Sequence, residues 1–210
     1  GGMIATANAR VVGPGYQRFL TENWMSPYRT DRIYALLGTK KKLRPQDFIE
    51  IQTDLHSLPH RMLAEHLLKA AEKHPPKDAR ARWLIEQFPR WNGRANTDSV
   101  EMSLLEFTRR VLRKTILEAK LGDGEMYRWW RSEVFLQNVL RDRPAHWLPK
   151  EFAAASRASE GYDELLSRSA AEAIREMERA SGSKKVGEWN WGRFMQLAVM
   201  HPLAQTGILR

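Results

Sequence analysis

Cysteine is absent from this sequence of 210 residues. Its absence excludes disulfide bonds and thiol chemistry, and it leaves the redox compartment undetermined. Long apolar runs are absent too, because no run approaches the roughly 18–20 residues that a membrane-spanning helix needs. No signal-peptide pattern is recognisable. Apolar residues nevertheless make up 42% of the sequence, which is enough for a packed core. We therefore expect a folded protein that has no membrane partner.

The sequence is basic, with a net charge of +9 and an isoelectric point near 10.0. Such a surplus first indicates nucleic acid as a partner. The basic residues are, however, interleaved with acids at helical spacing, as in EFTRRVLRKTILEAK at residues 106–120. The only tight basic run is Lys40, Lys41 and Lys42. A solvated basic surface is therefore favoured over a nucleic-acid site.

Helix-breaking residues concentrate at the start of the chain, so residues 1–29 are predicted to form an extended or irregular segment. Ile4 and the pair Val11-Val12 suit a short strand within it. The first residues, Gly1 and Gly2, look like the middle of a longer protein. The helix breakers of this segment are Gly13, Pro14, Gly15 and Pro27.

From residue 30 onward the apolar residues recur at helical spacing, which predicts an all-α domain over residues 30–210. Asp98 and Glu101 predict a capping box at the start of the longest helix. An aromatic cluster near the end of the sequence is more typical of core packing than of a ligand-binding box. It consists of Trp189, Trp191 and Gly192, with residues 201–203. Helices are predicted near residues 31–37, 45–55, 63–70, 81–88, 98–119, 125–140 and 162–177, with a partly helical segment at 188–203.

Three histidines lie close together in the sequence, at His56, His60 and His66. Pro59 interrupts the helix between the first two, so the three rings do not share one helix face as zinc ligands on a helix would. His66 falls on an apolar stripe, where a histidine is usually a hydrogen-bonded core residue. We therefore expect no metal site in this chain.

The remaining polar residues have structural explanations. Asp54 and Ser57 lie near Gln52 at a helix end, where capping and buried polar networks explain them better than catalysis. Asp123 lacks the further carboxylates of a calcium loop and is expected in a turn. No Gly-x-Ser-x-Gly motif occurs. From the residues alone, the alternative stays open that the chain is a helical scaffold whose basic surface binds nucleic acid or an acidic partner.

Five stretches, in order, resemble the β-subunit of the penicillin acylase (penicillin amidase) family. The resemblance runs from residue 4 to residue 203; it is dense in the first 57 residues and at 91–107, and thin between 120 and 185. The five stretches are IATANARVVG, FLTENWMSPYRTDRIYALL, KKLRPQDFIEIQTDLHS, WNGRANTDSVEMSLLEF and WNWGRFMQLAVMHPL.

The resemblance implies an N-terminal-nucleophile hydrolase. In that family a self-cleaving precursor exposes a serine, which attacks an amide carbonyl while its own α-amine acts as the general base. Gly1 stands where this chain begins, so we expect the serine and the αββα core upstream and the final strands downstream. The chain then corresponds to the mainly helical part of the β-subunit, and by itself it is expected to be inactive.

The resemblance also implies partners and a location. The partners are the rest of the parent protein, with its α-subunit and αββα core, and a small N-acyl substrate such as a penicillin, a cephalosporin or an acyl-homoserine lactone. Relatives are commonly exported, so a periplasmic or secreted location is expected. The isolated piece, deprived of its αββα partner, is expected to self-associate.

Two residues match functional positions of the family. Asn8 in IATANAR matches the asparagine whose side-chain amide donates to the oxyanion hole, and an extended segment would aim it at the serine. Without the resemblance, a turn-capping role for Asn8 is favoured. Arg29 in PYRTDRI matches an arginine that holds the substrate pocket or the asparagine. Calcium can belong to the intact parent, but Glu22 is the only acid between Asn8 and Arg29 and fits poorly as a ligand. Met195 stands where many members have histidine.

Overall fold

The computed structural model describes residues 3–122 and 132–197. Within these ranges the regular structure is helical, and no β-strand is present. The all-α fold class is therefore confirmed. The helices are α1 (Tyr28–Leu37), α2 (Pro45–Gln52), α3 (Leu58–Lys73), α4 (Ala79–Gln87), α5 (Val100–Leu121), α6 (Ser132–Asp142), α7 (Ala158–Ser181) and α8 (Trp191–Phe194), with 3₁₀ turns at Phe88–Arg90, Ala145–Trp147, Lys150–Phe152 and Val186–Glu188.

The two longest helices, α5 and α7, pack along each other and form the centre of the fold, and α3 and α4 lie against them. On α5, Leu105, Leu112 and Ile116 are fully buried at the spacing of one helix face. Leu166 and Ile174 are fully buried on α7. Burial of each such side chain stabilises the fold by about 1.5–3 kcal/mol, so the apolar stripes seen in the sequence determine this packing.

The N-terminus of α5 is capped by Ser99 and not by Asp98 as predicted. The Ser99 hydroxyl accepts from the Met102 amide at 3.1 Å, and it donates to the Glu101 carboxylate at 3.0 Å. Asp98 lies one residue too early, in the turn before the cap, so its carboxylate is not the group that meets the first amides of the helix.

The first helix begins earlier than the sequence predicted. Pro27 precedes α1 with φ −75°, and its carbonyl accepts from the Asp31 amide at 2.9 Å. Because the proline ring presets a helical φ, the helix starts at Tyr28 and not at Asp31. The last two residues of the 1–29 segment are therefore helical, and Arg29 lies in the first turn of α1.

The tryptophan cluster packs in the core, as predicted. Trp189 is fully buried, and its indole nitrogen donates to the Ser183 carbonyl at 2.9 Å. The Arg80 guanidinium lies over its ring at 5.3 Å from the centroid. Gly192 lies against Thr97, where an added Cβ would be 3.0 Å from the Thr97 Cβ. Residues 201–203 of the predicted cluster, and Asp123, lie outside the described residues.

Candidate active-site segment

Asn8 lies at a backbone turn on the surface of the molecule. Its φ is 66°, a left-handed conformation that asparagine adopts more readily than most residues. The side chain is exposed, while Ala7 and Ala9 on either side are buried. Within residues 3–122 and 132–197 no hydrogen bond engages the side-chain amide of Asn8. The backbone is not extended here as the resemblance implied; it bends, which fits the turn that the residues alone favoured, and the side-chain amide is available to a ligand.

Two groups of contacts hold the Asn8 segment against the helices. The Asn8 carbonyl accepts from the Met25 amide at 3.0 Å, next to an isolated parallel bridge between Ala9 and Met25. The Tyr34 hydroxyl accepts from the Ala5 amide at 3.2 Å and donates to the Ala5 carbonyl at 3.3 Å. The short strand expected at Ile4 and Val11-Val12 is reduced to this one bridge.

An ion pair fixes α1 to the loop between α2 and α3. Arg32 donates from Nε and Nη2 to the two carboxylate oxygens of Asp54, at 2.7 and 3.1 Å. Arg94 adds a longer bond from Nη1 at 3.4 Å. The Asp54 side chain is only 9% exposed. The hydrogen bonds from Arg32 hold the pKa of Asp54 below its usual range, so the carboxylate stays charged at neutral pH.

Arg29 is exposed at the edge of a cavity of about 480 Å³ that Ala7, the neighbour of Asn8, also lines. No hydrogen bond joins Arg29 to Asn8, and no ion pair with another described residue holds its guanidinium. Tyr28 and Glu133 line the same cavity, and burial, with the nearby Glu133 charge, raises the pKa of Tyr28 to about 12. The structure thus places Arg29 and Ala7, the neighbour of Asn8, around one cavity.

Ser57, His60 and Glu106 form a hydrogen-bonded chain that superficially resembles a catalytic triad. The Ser57 hydroxyl lies 2.6 Å from His60 Nδ1, and His60 Nε2 lies 3.1 Å from the Glu106 carboxylate. Arg109 and Arg110 also donate to Glu106, at 2.7 and 2.8 Å. Two guanidinium groups already neutralise this carboxylate, so it is poorly placed to stabilise a histidine cation. The chain joins α3 to α5 as a partly buried polar network, and Ser57 belongs to it.

The three histidines lie in different environments. His60 contacts Glu106, whereas burial lowers the pKa of His56 and of His66. Across residues 3–122 and 132–197, no three His, Asp or Glu side chains are grouped so that they could hold a metal ion. Glu22 is exposed on the N-terminal segment. None of the helices in these ranges is both long and apolar enough to cross a membrane.

The helical fold agrees with a match to known proteins. Residues 1–209 match the penicillin amidase family, and the chain belongs to that family. It is 30% identical over 208 residues to the acyl-homoserine lactone acylase QuiP of Pseudomonas fluorescens, and 29% identical over 211 residues to QuiP of Pseudomonas aeruginosa.

Each alignment with these relatives covers 91% of this chain but only 25% and 24% of the relative. The chain therefore spans about a quarter of the length of these acylases. The family that the ordered motifs predicted is confirmed.

Sequence reasoning missed Arg32, which ties α1 to Asp54, and Tyr34, which binds the Asn8 segment. Their partners lie 22 and 29 residues away in the sequence, at Asp54 and Ala5. Helical periodicity reports contacts three or four residues apart, so it carries no signal for such pairs. The sequence offered one signal for the contact between Arg32 and Asp54. Both residues lie in stretches that resemble the family, PYRTDRI and IQTDLHS.

Proposed function

We propose that this chain is the oxyanion-binding, mainly helical part of an acylase that hydrolyses the amide bond of a small N-acyl compound. The observation that carries the proposal is the membership of the penicillin amidase family together with the exposed, unbonded amide of Asn8 at the matching position. The nucleophile is an N-terminal serine that lies outside this chain.

In this mechanism the serine oxygen attacks the amide carbonyl of the substrate. The α-amine of the serine takes the hydroxyl proton and delivers it to the leaving nitrogen, and an acyl-serine forms. Water then attacks the acyl-serine and releases the carboxylic acid. Each attack places a negative charge on the carbonyl oxygen, and the Asn8 amide N–H donates to that oxygen. Arg29 adds a positive charge at the cavity of about 480 Å³ that Ala7, the neighbour of Asn8, also lines.

The substrate we propose first is an N-acyl homoserine lactone, cleaved at its amide bond. The support is that both QuiP relatives are acyl-homoserine lactone acylases. Penicillins and cephalosporins are the other N-acyl compounds to compare. A periplasmic or secreted location belongs to the proposal by resemblance alone. Calcium in the intact parent protein stays part of the proposal by resemblance.

The proposal is tested with the full-length protein that contains this chain. A panel of N-acyl homoserine lactones, penicillins and phenylacetyl amides is incubated with it, and the released amine and acid are quantified separately. We expect equimolar amine and carboxylic acid from at least one compound. Opening of the lactone ring with the amide intact, or no amide cleavage across the panel, would contradict the proposed reaction.

The alternative of a basic binding scaffold has less support. Many of its surface arginines already pair with carboxylates, such as Arg179 with Glu172 and Arg168 with Glu164, both at 3.3 Å. These pairs lower the charge that would be available to a nucleic acid. A nucleic-acid complex that dissociates steeply with added salt would favour the alternative.

A further inference from the structure

We propose that Asp54, Arg32 and Tyr34 act as a brace, a set of positioning residues that holds the side-chain amide of Asn8 in place for catalysis. The inference rests on the proposed function of Asn8 as an oxyanion donor. It gives a role to Asp54, which the sequence singled out and the reaction itself does not use.

The anchored end of the brace is rigid. Asp54 is nearly buried, and its loop is tied to the loop after α4 by two backbone bonds. Ser57 N donates to Gly93 O at 2.8 Å, and Ala95 N donates to Leu55 O at 2.9 Å. Gly93 has φ +81°, and an added Cβ would lie 2.5 Å from the His56 ring. The positive φ favours glycine at this position, and the two backbone bonds tie the Asp54 loop to the loop after α4.

Helix α1 connects the Asp54 loop to the Asn8 segment, because it contacts both. Arg32 and Tyr34 are two residues apart, which places them about 200° apart around the helix axis. Arg32 therefore binds the Asp54 loop from one side of α1 while Tyr34 holds the Asn8 segment from the other. Two parallel hydrogen bonds between Arg32 and Asp54 fix the guanidinium in position and orientation.

The held end of the brace lies next to Asn8. Tyr34 binds both backbone groups of Ala5, three residues before Asn8. Just before α1, Met25 N binds the Asn8 carbonyl itself. The left-handed turn at Asn8 is thus restrained on two sides by one helix and the residues that lead into it. A donor to an oxyanion must hold its geometry to a fraction of an ångström, because a shift of about 1 Å can lower the rate about 100-fold.

The test uses full-length protein and the amide substrate that it cleaves best. The variants are Asp54→Asn, Arg32→Lys and Tyr34→Phe, each also made with Asn8→Ala. Active sites are counted with a serine-directed sulfonyl fluoride, so that kcat refers to correctly folded enzyme. Asp163→Asn is the matched control, because the Asp163–Arg143 pair has the same 2.7 Å contact and the same 9% exposure of its carboxylate.

We expect kcat to fall about 10- to 100-fold in Asp54→Asn and in Arg32→Lys, and about three- to tenfold in Tyr34→Phe. KM should change little, because the misplaced donor acts on the transition state. In the Asn8→Ala background the same substitutions should have almost no effect on kcat, since the group they position is gone. Asp163→Asn should keep its kcat.

Two results would overturn the brace. One is a wild-type kcat per active site in Tyr34→Phe and Arg32→Lys, and the other is an equal loss of kcat with and without Asn8. Should Asp54→Asn yield no folded protein, these two milder variants decide the matter. If Asn8→Ala itself leaves kcat unchanged, the proposed function of Asn8 fails first. A slow Asn8→Ala together with a wild-type kcat in both Arg32→Lys and Tyr34→Phe rejects the brace alone.

Discussion

Among the single residues of the described chain, Glu106 is a carboxylate with three side-chain partners. Its side chain is 9% exposed and is contacted by His60, Arg109 and Arg110. Burial alone would raise the pKa of Glu106, but the hydrogen bonds from His60 and the arginines outweigh burial and hold the pKa well below its usual value of 4.5. The carboxylate therefore remains ionised at neutral pH and stabilises the junction of α3 and α5.

Glu106→Gln should destabilise the chain by about 3–5 kcal/mol at pH 7, because it leaves the partly buried Arg109 without its counter-charge. As the pH falls, the unfolded wild type takes up the Glu106 proton near 4.5, before the folded state does. The stabilisation from Glu106 is therefore complete above that pH and is lost progressively below it, toward the lowered folded-state pKa.

Urea unfolding between pH 7 and pH 3, followed by tryptophan fluorescence, measures both effects of Glu106. The variant should show a smaller loss of stability below pH 4.5 than the wild type. Glu172→Gln is the control, since Glu172 forms exposed pairs with Arg175 and Arg179 worth less than about 1 kcal/mol. Equal stability of the Glu106 and Glu172 variants at pH 7 would contradict this account.

The helices were the most predictable elements, and their ends were the least. The apolar stripes of α5 and α7 located both helices because buried residues recur at helical spacing. The start of α1 and the cap of α5 were misplaced, since neighbouring residues such as Asp98 and Ser99 are equally good caps by type. A turn at Asn8 was favoured from the residues alone, but its left-handed φ was not predicted, because asparagine permits that conformation without requiring it.

Gly161 in α7 gives a prediction about how this helix packs against the 3₁₀ turn at Lys150–Phe152. Alanine at a helix interior normally stabilises a helix by about 1 kcal/mol relative to glycine. At Gly161, however, an added Cβ would clash with the Phe152 carbonyl and with Leu148. Gly161→Ala should therefore destabilise the packing of the 3₁₀ turn on α7.

Thermal unfolding of Gly161→Ala measures the effect, with Gly187→Ala as the control, because nothing lies within 4 Å of a Cβ at Gly187. We expect a lower Tm for Gly161→Ala and little change for Gly187→Ala. A Gly161→Ala variant more stable than the wild type would show that α7 does not approach the turn as closely as described.

Apolar side chains exposed on the described chain indicate surfaces that are covered in the whole molecule. Ile4 is 98% exposed, Leu197 is 90% exposed and Phe19 is 80% exposed. The chain spans about a quarter of its acylase relatives, and we infer that the remaining part of the protein packs over these residues.

The 210-residue chain by itself should therefore self-associate and hydrolyse no amide, since the proposed nucleophile is not among its residues. Sedimentation velocity over a range of concentrations and an acylanilide assay on the same sample check both expectations. A monomer at all concentrations would contradict the inferred interface, and turnover by the purified chain would contradict a nucleophile elsewhere.

The family and the helical architecture could be predicted from the sequence. The contacts that hold the Asn8 segment in place could not. The motif around Asn8 singled out this residue as a candidate by its order among other motifs. The contacts that restrain it, from Tyr34 and Met25, join distant residues through backbone atoms. Backbone atoms are the same in every residue, so no sequence pattern reports such contacts.

The kinetics of Asn8→Ala in the full-length protein test the central claim most directly. An oxyanion donor acts mainly on the transition state, so kcat should fall about 100- to 1,000-fold while KM changes little. Asn8→Asp should be at least as slow, because its charge would face a negative intermediate. The exposed Asn138→Ala on α6 serves as the control and should keep the wild-type kcat. A kcat for Asn8→Ala within about threefold of the wild type would show that this amide only shapes a turn, and it would contradict the account.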